Sequence, residues 1–265
     1  MPQLVLAFIL GACVASFLNV VADRFPQGQS IVRPPSHCPS CGRRLTPWEL
    51  VPVVSYIVLR GRCYACKSRI PIRSVLVEAG LGGAAAYIVW CEDFSVAALV
   101  LFAYLCFFLL VSLIDLDHTI LPHRLVLPAL LVTLALAPWW NQLGIERSFL
   151  GSEAALPVFL GSLLGGLALG GLYLVLLLVN PRWIGGGDPP LAALVGLVAG
   201  IPGTLVAFMA ASVSGGLVGA ALLVLRRKGR KDAIPFGPFL ALGGTLALLW
   251  GDSLWRWYAG LLTGG

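Results

Sequence analysis

Charge is scarce in this chain. Asp, Glu, Lys and Arg together make up 11% of its 265 residues, against about 25% in a soluble domain. That shortage excludes an ordinary water-facing surface. Alternation of apolar and polar residues is also missing, which excludes a transmembrane β-barrel. No Lys or Arg precedes the first apolar run, Leu4–Val21. The run therefore lacks the basic start of a cleaved secretion signal and reads as a first membrane helix. Nucleotide-binding signatures are absent too. There is no Rossmann-type glycine fingerprint, and no Lys-Ser/Thr follows the glycines at 185–187 as a P-loop requires.

What fills the chain instead is apolar. Hydrophobic residues account for 58% of it, and the mean hydropathy is +0.91. Apolar runs near 3–22, 74–91, 95–114, 124–140, 154–179, 189–200, 204–225 and 236–256 predict an all-α polytopic membrane protein with about eight transmembrane helices. The sixth run is too short to cross alone at 1.5 Å per residue. A Gly/Pro break, "GIPG" (200–203), separates it from the seventh. "GSLLGGLALGG" (161–171) sets Gly161 and Gly165, then Gly166 and Gly170, four residues apart, the small-residue spacing that lets membrane helices approach closely.

The basic residues orient the chain. Arg24–Arg73 holds nine of the 18 Lys and Arg, and "RRKGRK" (226–231) holds five more. Both segments are expected in the cytoplasm, with the N-terminus outside. The opposite turns are poor in base: 91–94 has none and 141–153 has only Arg147. The net charge of +6 thus follows membrane topology, and no nucleic-acid partner is expected. The predicted organisation is a first transmembrane helix (1–22), a cytoplasmic metal-binding loop (23–73) and a helical membrane core (74–265).

Within that loop stand two CxxC pairs, "CPSC" (Cys38, Cys41) and "CYAC" (Cys63, Cys66), with 21 residues between them. Four thiolates at this spacing suit one tetrahedral Zn2+. A reducing compartment disfavours disulfides. The loop is short for a core of its own, and a structural zinc supplies folding energy that apolar burial cannot. Cys13, Cys91 and Cys106 lie in apolar spans and read as packing residues.

A second constellation is acidic. "GGGD" (185–188) leads into "PP" (189–190), and "SLIDLDHTILPH" (112–123) carries Asp115 deepest at the end of the third span. Asp115 and Asp188 both fall at the predicted cytoplasmic face. Asp117 and His118 read as solvated flanking residues. Two carboxyl groups that meet cannot easily both ionise, so they share a proton. The ionised member then activates a water, and the protonated member donates to a scissile carbonyl. The glycines allow positive φ and leave room for a substrate backbone. Pro189 suits the first turn of a helix, which makes Asp188 its N-cap.

These motifs together resemble the prepilin leader peptidase/N-methyltransferase family, the GxGD-type aspartic proteases of type IV pilus and type II secretion systems. The likeness rests on "GACVASFLNVVADRFP" (11–26), the loop from Cys38 to Cys66, "EAG" (78–80), "IDLDHTILP" (114–122), "GGGD" (185–188) and "IPFGPFLALGG" (234–244). It implies a bacterial inner-membrane enzyme with its active site at the cytoplasmic face. Such an enzyme cleaves the basic leader from prepilins or pseudopilins after a Gly, then methylates the new N-terminus with S-adenosylmethionine. By the same resemblance Asp115 and Asp188 are the catalytic pair and Cys38, Cys41, Cys63 and Cys66 the zinc ligands. Trp48, Glu49 and Glu78 are candidates near the methyl donor. The chain departs from the family pattern at His123, where Asp or Asn is usual, and at Pro189–Pro190, where an apolar residue and Lys are usual. Two other readings compete: a GxGD intramembrane protease of preflagellin-peptidase type without methyl transfer, and a transporter or scaffold using "GIPG" as a broken helix.

Overall fold

The computed structural model describes residues 1–149, 152–181, 184–225 and 235–263. The basic run 226–231, which helped to orient the sequence, lies outside them. Among the described residues eight α-helices follow in chain order: α1 (Pro2–Arg24), α2 (Val54–Val58), α3 (Ile72–Glu92), α4 (Val96–His118), α5 (His123–Leu136), α6 (Ala155–Val179), α7 (Asp188–Val224) and α8 (Gly237–Thr263). Among the described residues there is no strand, only isolated bridges. Helices are what a bilayer demands, because each satisfies its own backbone N–H and C=O groups. The protein is an all-helical, multi-pass membrane protein.

Each of the eight apolar runs falls on a helix, but the sixth and seventh are the two arms of α7. Among the described residues five helices are long and apolar enough to cross a bilayer: α1, α3, α4, α6 and α7. α5 with the 3-10 turn after it, His123–Trp139, is shorter. The first arm of α7, 188–199, rises only about 18 Å at 1.5 Å per residue, less than the roughly 30 Å hydrocarbon thickness.

The chain forms two compact units, Met1–Leu110 and Val111–Gly265. In the first, α1 packs on α3 through small residues. Ala7, Gly11, Ala15 and Ala22 are buried on α1. A methyl group on Gly11 would stand 2.7 Å from Ala85 Cβ, and one on Gly82 would stand 2.9 Å from the Phe8 carbonyl oxygen. Neither contact is possible for a real side chain, so the two backbones meet because both residues are glycine.

In the second unit α7 packs against α5, α6 and α8. The α6 helix is built inside out relative to a soluble helix. Gly161, Ser162, Gly165, Gly166 and Gly170 are buried, while Leu164, Leu167, Leu174 and Leu178 are exposed. Lipid solvates leucine as well as a protein core does, so the helix contact is left to small residues. A methyl on Gly165 would lie 2.5 Å from the Gly196 carbonyl oxygen, and one on Gly170 2.6 Å from Ala193 Cβ.

The "GIPG" break is real. Gly200 (φ 60°) and Ile201 leave helical geometry just before Pro202. Proline has no N–H to continue the ladder, and glycine tolerates the positive φ. The Thr204 hydroxyl donates to the Gly200 and Gly196 carbonyl oxygens at 2.8 and 3.3 Å, which satisfies acceptors freed by the break. At the same end of the first arm, Arg147 donates from Nη2 to the Val198 carbonyl oxygen at 3.2 Å. Its Nη1 lies 3.9 Å from Asp252. The single base of the 141–153 turn is thus a buried cap on a helix C-terminus, not a solvent-facing charge.

Candidate active site and metal centre

Asp115 sits one turn before the end of α4, and Asp188 is the first residue of α7. They are 73 positions apart in sequence, yet both are buried in the second unit. Their carboxyl groups are near enough to interact through space. Asp117, two residues on, is exposed. The apolar end of α4 places Asp115 inward because α4 is still one helix there, and a two-residue step turns the side chain to the opposite face.

Each carboxylate accepts one backbone N–H. Asp115 Oδ2 takes Gly237 N–H at 2.8 Å, at the first residue of α8, where the helix dipole favours negative charge. Asp188 Oδ2 takes Gly185 N–H at 2.9 Å, and Asp188 N–H returns to the Gly185 carbonyl oxygen at 3.0 Å. The expected N-cap role is therefore corrected. Gly187 is the N-cap residue, and Asp188 lies inside the helix with its side chain folded back into the turn. Pro189 and Pro190 explain this: they remove N–H groups that an N-cap carboxylate would take.

The glycines act differently from expectation as well. Among Gly185–Gly187 none has positive φ. Gly187 is required by close approach, since any Cβ there would overlap Leu121. Leu121 belongs to the "ILP" segment that follows Asp115, so the two Asp motifs touch through a glycine. Gly237 obeys the same rule: a Cβ would stand 2.7 Å from Asp115 Oδ2.

Tyr173 was missed from the sequence. It is buried on α6 within electrostatic reach of Asp188. Its ring lies 5.8 Å from that of Phe236, the residue before the Gly237 donor. A lone phenol in the apolar run of α6 was the available signal. His123 is exposed at the start of α5.

The first unit carries the thiols. Cys38, Cys41, Cys63 and Cys66 bring their Sγ atoms within 4.8 Å of one another. Cys38 and Cys66 are 3.7 Å apart, matching the roughly 3.8 Å edge of a tetrahedron with about 2.3 Å Zn–S bonds. The two knuckles are alike. Gly42 N–H donates to the Cys38 carbonyl oxygen and Lys67 N–H to that of Cys63. Gly42 (φ 69°) and Lys67 (φ 58°) both turn left-handed immediately after the second cysteine of each pair. The Cys41 N–H, helped by the Ser68 hydroxyl, pushes the Cys38 thiol down to about 6. Cys41, despite the Arg43 N–H, is driven up to about 11 by desolvation and by Cys38 and Cys66. Four thiols this close cannot all ionise unless a cation lies among them. The cluster can hold a metal.

The loop around the thiols is pinned by Glu49. It accepts from Thr46 N–H at 2.9 Å and from the Thr46 hydroxyl at 2.6 Å, and it pairs with Arg43. Against desolvation, those bonds hold its carboxyl below the usual range. Trp48 packs edge-on against Tyr64, with ring centroids 5.8 Å apart, joining the two cysteine segments. Glu78 accepts Val53 N–H at 2.8 Å, supporting a valine with φ 61°. Glu49 and Glu78 line one cavity of this unit, and Trp48 is not among its walls.

Known proteins carry the same two parts. Residues 9–92 match the family described as "Bacterial Peptidase A24 N-terminal domain", and residues 102–220 match the "Type IV leader peptidase family". A "Prepilin leader peptidase/N-methyltransferase" of Pseudomonas putida is 38% identical over 94% of this chain and 91% of its own. The chain belongs to the prepilin leader peptidase/N-methyltransferase family. Proteins of that name from Pseudomonas aeruginosa (34% identical; 94% of this chain, 91% of the relative) and Aeromonas hydrophila (32%; 96% and 92%) match at similar length. No solved structure matches the chain. Among family members of near-equal length, the N-terminal match takes in the four-cysteine loop and the second match takes in both aspartates.

Proposed function

We propose that this protein, in the inner membrane of a bacterium, cleaves the basic leader from type IV prepilins or pseudopilins at its cytoplasmic face and methylates the amine it exposes. The observation that carries the reading is the pair of buried aspartates, Asp115 and Asp188, brought together from two helices in a chain of this family. One carboxylate takes a proton from a water molecule as the water oxygen bonds to the carbonyl carbon of the leader's terminal Gly. The other, protonated, gives its proton to the carbonyl oxygen. Collapse breaks the C–N bond, the amine nitrogen gains a proton, and the leader leaves as a carboxylic acid. Gly237 N–H and Gly185 N–H hold the two carboxyl groups in place throughout.

S-adenosylmethionine supplies the methyl group: an N–C bond forms as the S–C bond breaks, sulfur keeps the electron pair, and the amine sheds a proton to water. The match of residues 9–92 to the N-terminal family domain favours this bifunctional reading over a protease alone. Zinc held by Cys38, Cys41, Cys63 and Cys66 would shape the loop and take no part in either reaction.

The test is leader cleavage by purified protein in detergent. Asp115→Asn and Asp188→Asn should each abolish it while the protein still inserts and folds. Asp117→Asn, at an exposed position, should stay within about threefold of the parent, as expected for a surface change. Normal cleavage by either of the first two variants would remove that residue from the mechanism.

A further inference from the structure

Tyr173 takes no part in the steps described above, yet it is out of place as a packing residue. Tyr173 and Ser162 are the only residues of α6 with a polar side chain. A tyrosine of the aromatic belt turns its ring to the lipid headgroups, whereas Tyr173 is 4% exposed. Phenylalanine would fill the same space with no polar atom, and a buried phenol ordinarily finds a hydrogen-bond partner. Among the described residues the Tyr173 hydroxyl has none. Two contacts place its ring. The first comes from the register of α6 on α7. Gly165 meets Gly196 and Gly170 meets Ala193, so the helices run antiparallel. One turn further along the same face of α6, Tyr173 comes opposite the first turn of α7, which carries Asp188. The second contact is with Phe236, 5.8 Å between ring centroids and tilted by 38°. The residue after Phe236 is Gly237, whose N–H holds Asp115. The phenol is thus wedged between the turn that carries one aspartate and the helix start that holds the other, close enough to Asp188 to interact with it through space.

The geometry points to Tyr173 as a third catalytic residue of leader cleavage, its hydroxyl donating a hydrogen bond to the scissile carbonyl oxygen as that oxygen gains charge. The inference rests on the cleavage reading above and adds a donor to it. As the water oxygen bonds to the carbonyl carbon, the C=O π pair moves onto oxygen, and the protonated aspartate delivers its proton there. The phenol keeps its own proton throughout and lends only a hydrogen bond, so the balance of the step is unchanged. A tyrosine beside a protonated aspartic acid forms such an oxyanion-binding pair in other enzymes. Both aspartates already use Oδ2 to accept a backbone N–H, and neither N–H is then free for the substrate oxygen. A phenol with no partner of its own supplies the missing donor without first breaking a bond. In an apolar pocket that donor acts more strongly than it would in water.

The test is steady-state cleavage of a leader-bearing prepilin by the purified full-length protein in detergent. Tyr173→Phe keeps the ring against Phe236 and removes the hydroxyl alone. It is expected to lower kcat about 100-fold, as the loss of one oxyanion donor does. KM should stay at the parental value, because the bond strengthens only in the transition state. The pH limbs of kcat/KM and the thermal midpoint should also match the parent. Tyr173→Leu loses the ring contact as well and should lower the midpoint, which separates a packing role from a hydroxyl role. A kcat for Tyr173→Phe within about threefold of the parent, far short of an oxyanion-donor effect, would overturn the inference and leave the aspartate mechanism standing. So would a raised KM at parental kcat, which makes the hydroxyl a group that only binds substrate. A shifted pH limb would overturn it too, by showing that the hydroxyl acts on the aspartates instead. If Tyr173→Phe loses as much midpoint as Tyr173→Leu, the hydroxyl is structural and the inference fails. If the parent itself cleaves no leader, the cleavage reading falls and takes this role of Tyr173 with it.

Discussion

Replacing Gly237 by alanine is the sharpest way to perturb the aspartate pair without touching either carboxyl group. A Cβ at 237 would stand 2.7 Å from Asp115 Oδ2, 3.1 Å from its Cγ and 3.2 Å from its Cβ. The first contact is closer than real Cβ atoms come, so the carboxyl must swing aside. The swing stretches or breaks the 2.8 Å bond from Gly237 N–H. Hydrogen bonds to charged groups contribute about 1.5–3 kcal/mol, and a misplacement of about 1 Å at a reacting group costs on the order of 100-fold in rate. Gly237→Ala should therefore lower kcat for leader cleavage about 100-fold, equivalent to about 2.7 kcal/mol, with little change in KM. Two controls separate this from unfolding. Gly216→Ala, on α7, meets nothing within 4 Å and should cleave normally, since alanine is the better helix former. Zinc content and thermal midpoint in detergent should match the parent in Gly237→Ala, because the substitution lies in the second unit and the thiol cluster in the first. A kcat within threefold of the parent, with the fold intact, would refute the claim that this glycine sets the position of Asp115.

Other outcomes follow from the same geometry. Elemental analysis should find about one zinc per chain, as four thiolates close a tetrahedral shell. The four loop thiols should resist alkylation until a chelator is added; protein isolated without chelator that holds no metal and is freely alkylated at all four would exclude the site. Cys63→Ser should lose zinc and raise proteolysis between 38 and 73, since a three-thiolate site binds more weakly. Gly196→Ala would drive a methyl into the Gly165 backbone. It should lower stability in detergent by about 1–3 kcal/mol, as overpacked cores do, and an unchanged thermal midpoint would mean that α6 and α7 can separate freely.

Much of this protein was legible because the relevant signals are local. Hydropathy over about 20 residues suffices to mark helices in a bilayer. The two CxxC pairs announce a metal loop because each knuckle closes within its own few residues, through bonds such as Gly42 N–H to the Cys38 carbonyl. Gly200 and Pro202 break α7 for backbone reasons that travel with the residues themselves. Even the α6–α7 contact could be anticipated at Gly165, Gly166 and Gly170, since in lipid only small residues distinguish the packed face from the leucine face.

Convergence across the chain could not be read that way. Asp115 is held by an N–H that comes 122 positions later, and no spacing rule reaches so far. The role of Gly187 was misjudged for the same reason. Its dihedral angles are ordinary, and glycine is demanded by Leu121, a neighbour in space only. Tyr173 looked like one more apolar-helix residue until the rotation of α6 turned it inward toward Asp188 and Phe236. Arg147 passed for a stray loop charge until the fold set it on the Val198 carbonyl. The sequence by itself determined which segments are helical, where the metal loop lies and which carboxylates are exceptional, because hydropathy, turn chemistry and ligand spacing act over a few residues. Which groups meet those carboxylates was decided by tertiary structure alone. Helices apolar on every face carry almost no record of their rotation, and only packing fixes it.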